Sequence, residues 1–414
     1  MSRSADDRRR PSIAVTGVGV VSPIGTTLAD VDRSLFEGRS AIGSRALDLP
    51  GIDLPPVPVA SVEFDASAQV APSRVPLDRG TAMALAAARD AGAAAGLLSG
   101  SVDAERLGVF WGSGMAGAAT FEAICRTVYA DRKRMRPTSV VTTMPNAPVA
   151  EIALLFGARG AAIAYACACA SSAVAIGEAM RAIRAGWIDI AVVGGSESLL
   201  TPGVLASWQA MRVLAPVGDG MVRPFAADRA GFALGEAAAA FVIESAAHAK
   251  ARGAATCAQL TGYATNCDGM HLTQPDASGQ ARAMTAALAD AGLTPRHIGY
   301  LNTHGTATTA GDAAEAESIA RVFGPGGVPV SSTKAIHGHL LGAGGAIELL
   351  AALRALDAGR LPPTANVDAV DPAFALDLVT RGTARFAPLA HVMSNSFAFG
   401  GTNAVLIASR AEER

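Results

Sequence analysis

The chain alternates short runs of β-branched and apolar residues with longer alanine-rich stretches, and this alternation restricts its fold more than any other feature. Residues 188–195 read Ile-Asp-Ile-Ala-Val-Val-Gly-Gly, and residues 239–243 form a second apolar run. Apolar runs of this length are typical of strands buried on both faces. Strands that alternate with helical stretches predict an α/β fold, with helices layered on parallel or mixed sheets.

Composition narrows the class of protein further. With 414 residues, of which 50% are hydrophobic and 17% charged, the chain is too long for one simple core and too apolar for disorder. Two fused, similar halves would satisfy both conditions. The formal net charge of −2 gives no overall basic field, so no nucleic-acid partner is expected. An acidic protein partner would have to meet a local patch.

No segment of the chain has the pattern of an export signal or a membrane span. Residues 1–11 are polar, which predicts a disordered N-terminal tail without an apolar signal core behind it. The most membrane-like window, residues 161–179, is rich in alanine, serine and glycine, which favours a tightly packed internal helix. The five cysteines are odd in number and lack zinc-site spacing. They predict reduced thiols, a cytoplasmic location, no metal and no other cofactor.

A second half of the chain begins near residue 254. A helical stretch ends at 250–253, and a fresh strand pattern at 259–263 echoes the first strand of the chain. The sequence therefore predicts a tail at 1–11, an N-terminal half at 12–253 and a C-terminal half at 254–414.

Cys169 lies in a run of tiny residues, Ala-Cys-Ala-Cys-Ala-Ser-Ser at 166–172, which leads into a helical pattern. A helix N-terminus presents unpaired N–H groups and partial positive charge, which would lower the pKa of the thiol and could hold an oxyanion. This placement predicts a nucleophile. A small buried cysteine in an alanine-rich helix is the commoner fate of any single Cys, and it stays the alternative at this point.

Two glycine-rich turns each carry an imidazole directly after a strand-like run. His304 follows the run at 300–303, and His339 follows the run at 328–330. A histidine at the end of a strand lies where ligands meet parallel sheets, whereas a structural histidine on a helix face needs no flanking glycine. We therefore interpret His304 and His339 as functional residues, with His337 as a support.

Further motifs in the same order extend along nearly the whole chain. The first strand reads Ile-Ala-Val-Thr-Gly-Val-Gly at 13–19, an Arg-Pro-Phe motif opens the segment 223–232, and a glycine-rich loop ends the series at 394–403. Together with the Cys and His motifs, they resemble the elongating β-ketoacyl-acyl-carrier-protein synthases of type II fatty acid or polyketide synthesis. The resemblance implies a thiolase-like fold, in which two duplicated halves stack as αβαβα layers. Cys169 would come from the first half and both histidines from the second.

The reaction that this resemblance implies is a decarboxylative Claisen condensation, which makes the protein an acyltransferase. Cys169 would take an acyl group from its carrier, because sulfur both attacks and leaves readily. Malonyl on an acyl carrier protein would then lose carbon dioxide to form an enolate. His304 and His339 would each donate one N–H to the oxygen where negative charge develops.

Charged residues near the two turns receive supporting roles. The resemblance pairs Lys334, five residues before His339, with Glu348 at the opening of the next helix. Lys334 is expected to tune and fix the catalytic site, and a weak surface ion pair is the alternative. Asp312 and Glu315 are expected to be helix caps or supports of the site rather than catalytic acids.

The loop near the C-terminus carries Phe399 between Ala398 and two glycines. By resemblance, the backbone N–H groups of Cys169 and Phe399 form an oxyanion hole, and the Phe399 ring gates the acyl pocket. Gly400 and Gly401 would permit the movement.

Three neighbouring features complete the expected acyl site. Ala398, where relatives usually carry glycine, would stiffen the gate. The segment 266–271 resembles a companion gating loop, and Met115 is expected at the far end of the acyl pocket.

The resemblance also implies partners. An acyl carrier protein would deliver acyl and malonyl groups on phosphopantetheine. A homodimer, or a heterodimer with a related ketosynthase or chain-length subunit, is expected.

Two alternatives to this function are a thiolase-fold enzyme that condenses acyl-coenzyme A and a noncatalytic chain-length partner. The second is disfavoured because that subunit lacks the nucleophile, and Cys169 is present.

Overall fold

The computed structural model of the chain describes residues 11–49, 51–71, 73, 75–100, 102–382 and 384–411. Residues 1–10, nearly all of the predicted tail, lie outside the described residues. The strands of the described part are β1 (Ile13–Val21), β2 (Gly43–Arg45), β3 (Val57–Ala60), β4 (Leu107–Gly112), β5 (Ala162–Tyr165), β6 (Ile190–Glu197), β7 (Leu234–Gly235), β8 (Ala237–Ser245), β9 (Ala258–Cys267), β10 (Ile298–Asn302), β11 (Pro329–Ser331), β12 (Arg360–Leu361), β13 (Asp377–Leu378), β14 (Arg385–Phe386), β15 (His391–Phe397) and β16 (Thr402–Arg410). The helices are α1 (Leu28–Glu37), α2 (Ala66–Gln69), α3 (Arg79–Ala94), α4 (Ala118–Tyr129), α5 (Ser139–Thr143), α6 (Ala147–Phe156), α7 (Ser171–Arg184), α8 (Pro202–Ala210), α9 (Ala246–Ala251), α10 (Ala277–Ala291), α11 (Thr309–Phe323), α12 (Lys334–His337) and α13 (Gly344–Ala358).

Eleven strands form one mixed sheet in the order β13-β11-β10-β15-β16-β9-β1-β8-β6-β4-β5. Outward from β1, strand β8 is antiparallel to β1, β6 is antiparallel to β8, and β4 is parallel to both β6 and β5. Outward from β9, strand β16 is antiparallel to β9, β15 is antiparallel to β16, and β10 is parallel to both β15 and β11. The same order and directions occur twice, which confirms the predicted duplication. The exact boundary at 253/254 stays a prediction.

Helices cover both halves of the sheet and also separate them. Helix α3 packs on β1, β6 and β8, and α10 packs on β9 and β16 with α11 beside it. Helices α7 and α13 contact each other, and they pack on β4 and β6 and on β10 and β15 respectively. These contacts give the five layers α, β, α, β, α that the resemblance implies.

The middle layer explains why two helices are so apolar. Helix α13 is buried around nearly its whole circumference, which requires apolar residues on every face. Helix α7 starts close against β4: a Cβ at Gly112 would lie 2.3 Å from the backbone of Ser171. Glycine at that position therefore lets the strand approach the first turn of α7, where the cysteine motif lies.

Five of the candidate site residues follow the carboxyl ends of strands in the large sheet. Cys169 follows β5, His304 follows β10, Lys334 and His339 follow β11, and Phe399 follows β15. In open α/β sheets, ligands bind beyond the carboxyl ends of the strands. The two duplicated halves thus bring these segments, distant in sequence, to one place.

The apolar window at 161–179 divides between β5 and the first part of α7. Within the described residues, no helix is both long enough and apolar enough to cross a membrane.

Candidate active site

Cys169 and His339 contact each other inside a cavity. Cys169 lies in a short helical turn, Ala168–Ala170, directly before α7, and His339 lies two residues after α12. The Sγ atom of Cys169 is 3.1 Å from Nε2 of His339. The two residues are 6% and 2% exposed, so the contact is nearly free of bulk water.

The hydrogen bonds of His339 fix its tautomer. The backbone N–H of Leu341 donates to Nδ1 over 3.3 Å. Burial, assisted by the positive charge of Lys334, lowers the pKa of His339 well below its ordinary value, so the ring is neutral at pH 7. A neutral ring carries one proton, and because Nδ1 accepts, that proton is on Nε2. His339 therefore directs an N–H donor at the Cys169 sulfur.

His304 presents a second donor of the same kind. Its ring centroid lies 5.4 Å from that of His339 at an interplanar angle of 81°. Its Nδ1 is 3.3 Å from Nζ of Lys334, and an ammonium group can only donate. Burial and the charge of Lys334 lower the pKa of His304 well below its ordinary value. This ring is also neutral, with its proton on Nε2.

Lys334 and Glu348 form an ion pair in which each side chain is 1% exposed. Burial raises the pKa of Glu348 to about 7, and Lys334 opposes that rise. Taking a single charge out of water is expensive, so each charge depends on the other. The alternative of a weak surface ion pair is therefore wrong, and the pair holds the ammonium beside Nδ1 of His304.

Two other buried carboxylates hold the loop that carries His304. Glu315 accepts the backbone N–H groups of His304 and Gly305 over 2.8 and 2.6 Å. Asp312 likewise accepts two backbone N–H groups from neighbouring loops. Helix α11 is capped by Thr308 instead. Asp312 and Glu315 thus support the loops, and the cap interpretation is wrong for both.

The sequence predicted a lowered pKa for the Cys169 thiol, and this prediction is wrong for the enzyme that carries no acyl group. Burial raises the pKa of Cys169 to about 12. The charge of Lys334 and the backbone N–H groups of Phe399 and of Cys169 itself act in the opposite direction. Sequence reasoning weighed the helix N-terminus and left out desolvation, which penalises the thiolate more strongly here. The Cys169 side chain is therefore a thiol at rest.

Aromatic rings line the cavity of about 350 Å³ that contains the Cys169 sulfur. Phe399 stacks on Trp208 with 6.1 Å between ring centroids, and Phe232 meets the ring of His339 edge-on at 4.9 Å. A largely apolar wall with a few convergent polar groups suits an acyl chain whose reactive end is polar.

Backbone hydrogen bonds attach the Phe399 loop to the segment before α10. Gly400 and Gly401 have φ values of 85° and 78°, which favour glycine. The N–H of Gly400 donates to the carbonyl of Leu272 over 2.7 Å, and the N–H of Asp268 donates to the carbonyl of Gly401 over 2.9 Å. Any large movement of Phe399 must break or stretch these bonds.

Comparison with known proteins identifies the family. The family model for the beta-ketoacyl synthase N-terminal domain matches residues 10–249, and the model for the C-terminal domain matches residues 257–368. The chain belongs to the β-ketoacyl synthase family. It is 39% identical to nodulation protein E of Rhizobium leguminosarum bv. trifolii over 97% of the chain and 98% of that protein. It is 35% identical to 3-oxoacyl-[acyl-carrier-protein] synthase 2 of Staphylococcus aureus (strain COL), again over 97% and 98% of the two chains.

A solved structure extends the likeness to the fold. The structure of the ishigamide ketosynthase/chain length factor matches with a TM-score of 0.89 and 31% identity, over 97% of this chain and 100% of that chain. The predictions of a β-ketoacyl synthase, an acyltransferase with a thiolase-like fold, are confirmed.

Three atoms of this β-ketoacyl synthase that could bind a metal lie close together. The sulfur of Cys169 and a ring nitrogen from each of His304 and His339 lie within 4.8 Å of one another. A metal would need the lone pair of Nε2 in both rings. Each Nδ1 faces a hydrogen-bond donor, the Lys334 ammonium for His304 and the Leu341 N–H for His339. The ring proton is therefore on Nε2 in both rings, and neither Nε2 has a lone pair to offer. The donor set fits a substrate oxygen better than a cation.

Met115 is the predicted site residue that the structure does not bring to the others. Its side chain is 48% exposed and does not line the cavity that contains Cys169. Its backbone N–H donates to Oε1 of Glu197 over 3.2 Å, in the loop between β4 and α4. A role for Met115 in the acyl pocket of this synthase stays a prediction.

Sequence reasoning gave no role to three residues beside the synthase site, namely Trp208, Phe232 and Glu197. The chain has only three tryptophans, so Trp208 offered a compositional signal. Phe232 lies within the Arg-Pro-Phe segment, which was noticed as a motif without a function for its last residue. Glu197 ends an apolar strand, and a carboxylate at that end of a strand is a recognisable signal of a site.

Proposed function

We propose that this β-ketoacyl synthase condenses an acyl group carried on Cys169 with malonyl held on an acyl carrier protein. One observation supports this above all: two neutral imidazoles, each with its proton on Nε2, lie around one buried thiol, and a ring nitrogen of each is within 4.8 Å of the sulfur. In the first half-reaction, the Cys169 sulfur attacks the acyl thioester carbon and forms a new thioester. The carrier sulfur leaves and takes up the proton that the Cys169 thiol loses.

The backbone N–H groups of Cys169 and Phe399 would stabilise the oxyanion of this transfer. Before acylation, both N–H groups hydrogen-bond the Cys169 sulfur and lower its pKa, which opposes the effect of burial. Fixed backbone donors are effective there because they need no reorganisation as negative charge develops.

In the second half-reaction, the thioester carbonyl oxygen of malonyl accepts one hydrogen bond from His304 and one from His339. The bond to the carboxylate breaks, carbon dioxide leaves, and its electron pair forms the enolate. The enolate carbon attacks the acyl carbon on Cys169, the sulfur leaves as thiolate, and the thiolate then regains a proton. Lys334 would keep Nδ1 of His304 unprotonated, and Glu348 would hold Lys334 in place.

Phe399 would gate the second substrate. Its ring stacks on Trp208 beside Cys169, and the two glycines that follow allow unusual backbone angles. Displacement of the ring would open a path to the acylated sulfur of Cys169. Gly400 and Gly401 would take up the accompanying change in backbone angles.

An acyl carrier protein would dock at the mouth of this cavity. Arg212 is exposed and follows Met211, which lines the cavity, so a positive charge stands beside the entrance. A phosphopantetheine arm carries a phosphate, and arginine suits phosphate recognition. The five free thiols support the cytoplasmic location expected from the sequence.

A second ketosynthase-type chain, either a copy or a related subunit, would pair along strand β5. This strand ends the sheet, and Ile163 on it is 42% exposed. Helix α6, which contacts β5, exposes Leu154; α5 contacts α6 and exposes Val140, and α4 contacts α5 and exposes Phe121. An exposed apolar edge strand is a hazard for a single chain, and pairing with a partner removes it.

Mass spectrometry of the two half-reactions tests the proposed function. The chain is incubated with acyl-loaded carrier protein, with acyl-coenzyme A, and then with malonyl-loaded carrier protein. We expect an acyl adduct on Cys169, none on the half-buried Cys167, and a β-ketoacyl product on the carrier. Condensation of acyl-coenzyme A without a carrier protein would support the thiolase-type alternative. A complete lack of acylation would support a chain-length partner, and a label that survives Cys169→Ala would exclude the assigned nucleophile.

A further inference from the structure

Glu197, the last residue of β6, is a buried carboxylate outside the proposed reaction. It is 1% exposed, and no ion pair of Glu197 occurs within the described residues. Burial raises its pKa to about 7. An ionisable group kept inside a protein without a counter-charge is costly, and such groups concentrate at functional sites.

Four donors converge on the Glu197 carboxylate, two on each oxygen. Oε1 accepts the Ser113 hydroxyl over 3.1 Å and the Met115 N–H over 3.2 Å. Oε2 accepts the N–H groups of Gly114 over 2.6 Å and Gly342 over 3.0 Å. The carboxylate thus joins the loop after β4 to the loop that follows His339.

The junction leaves no space for other side chains. A Cβ at Gly342 would lie 2.2 Å from the backbone nitrogen of Gly114 and 2.6 Å from Oε2 of Glu197. Glycine is therefore required there, and the two loops are in close backbone contact beside this carboxylate.

The loop that Glu197 holds also sets the tautomer of His339. Leu341, directly before Gly342, has a φ of 45°, a left-handed conformation that is unfavourable for leucine. In that conformation its N–H donates to Nδ1 of His339. If Gly342 were released, Leu341 could relax to a negative φ and withdraw its N–H from the ring.

We propose that Glu197 is a positioning residue, which keeps Leu341 in its left-handed conformation and so keeps the proton of His339 on Nε2. This inference rests on the proposed function, because the Nε2–H of His339 is the donor to the malonyl thioester. Glu197 acts through Leu341 and touches no substrate.

The chemistry of the side chain explains why a carboxylate stands here. Above its pKa of about 7, Glu197 is an ionised carboxylate, and only this form has two oxygens that accept and never donate. In Glu197→Gln, one oxygen becomes an NH2 group, which faces the Ser113 hydroxyl and the Met115 N–H in one orientation of the amide and the N–H groups of Gly114 and Gly342 in the other. The substitution preserves the shape of the side chain and removes the four-donor arrangement.

Nitrogen-15 NMR of protein labelled at histidine, with His339→Ala for assignment, measures the tautomer directly. We expect the Nε2–H form of His339 in wild type and a substantial Nδ1–H population in Glu197→Gln. Malonyl decarboxylation should fall roughly 10- to 100-fold in this variant, less than the loss expected from removing the donor altogether. Acylation of Cys169 should change by less than about threefold, because the backbone oxyanion donors stay in place.

Glu244→Gln is the matched control. Glu244 is 0% exposed and lies at the opposite end of the β6–β8 pair, where Arg252 and Thr16 hold it. It should lose stability without changing the His339 spectrum or the ratio of the half-reactions. If Glu197→Gln does not fold, Glu197→Asp serves instead, because its shorter carboxylate cannot reach both loops.

An unchanged His339 spectrum in a folded Glu197 variant, or an equal loss of both half-reactions, would overturn the inference. Failure of the proposed function has a different signature, since wild type would then neither acylate Cys169 nor decarboxylate malonyl. The tautomer measurement needs no substrate and stands apart from that outcome.

Discussion

Replacing Lys334 with methionine separates stability from catalysis at the buried ion pair. The change leaves Glu348 inside the middle helical layer without its ammonium partner. The pKa of Glu348 is about 7 with Lys334 present, against an ordinary 4.5, and the loss of Lys334 can only raise it. Wild type already carries the cost of the rise from 4.5 to about 7, so the variant loses only what the further rise costs, about 1.4 kcal/mol for each additional pKa unit at a pH above the new pKa. Removal of one partner of a buried pair typically costs roughly 3–5 kcal/mol, which corresponds to a further rise of about two to four units.

The pH dependence of this loss has a definite sign. Above pH 4.5 the unfolded chain releases the Glu348 proton, whereas folded wild type holds it up to about pH 7 and folded Lys334→Met holds it to a higher pH. The variant should therefore lose stability relative to wild type as the pH rises above 7. Urea denaturation at pH 5 and pH 8, with wild type measured in parallel, gives the difference.

The double variant Lys334→Met with Glu348→Leu is the decisive comparison. It removes both charges, so its stability should return to within about 2 kcal/mol of wild type. Malonyl decarboxylation should stay low, because Nδ1 of His304 has lost the ammonium that prevents its protonation. A double variant that regains decarboxylation with its stability would show that Lys334 only supports the fold. A single variant as stable as wild type at pH 8 would refute the argument from burial.

Three further predictions concern the histidines, the gate and the dimer. His304→Ala and His339→Ala should each lose malonyl decarboxylation by about 100- to 1,000-fold while acylation suffers less; equal losses in separate assays would make both rings general supports. Phe399→Ala should slow single-turnover condensation after acylation of Cys169 and should loosen acyl selectivity. Ala398→Gly should keep or raise turnover, because glycine permits more backbone angles. Wild-type kinetics for Phe399→Ala across several acyl lengths would show that the ring does not gate the site. Ile163→Lys places a charge on the free edge of β5 and should convert a dimer to monomers in light scattering, while a dimer that survives would place the interface elsewhere.

The local signals in the sequence point to candidate site residues that the fold brings together. Cys169, His304 and His339 each stand in a short motif that follows a strand pattern, and the strands of one sheet bring their carboxyl ends together. The two duplicated halves then bring these strand ends to one place. These features depend on neighbours in the chain, so a single sequence can display them.

The features that escaped prediction depend on contacts distant in sequence. Glu197 reaches Gly114 across 83 positions and Gly342 across 145. Desolvation of Cys169 arises from the sum of its three-dimensional surroundings, and no local pattern reports it. Met115 was placed by resemblance alone, and in a single chain its side chain faces outward.

Burial and the charge of Lys334 together give the site an electrostatic character suited to carbon–carbon bond formation. Both factors lower the pKa of His304 and of His339, so both rings are donors in their neutral form. An imidazolium is a strong enough acid to protonate an enolate and waste it, whereas a neutral imidazole N–H binds the oxygen and keeps its proton. The same dry surroundings raise the thiol pKa of Cys169, which disfavours a free thiolate before a thioester arrives. The feature that makes the thiol a poor nucleophile at rest therefore protects the carbanion that the second half-reaction requires.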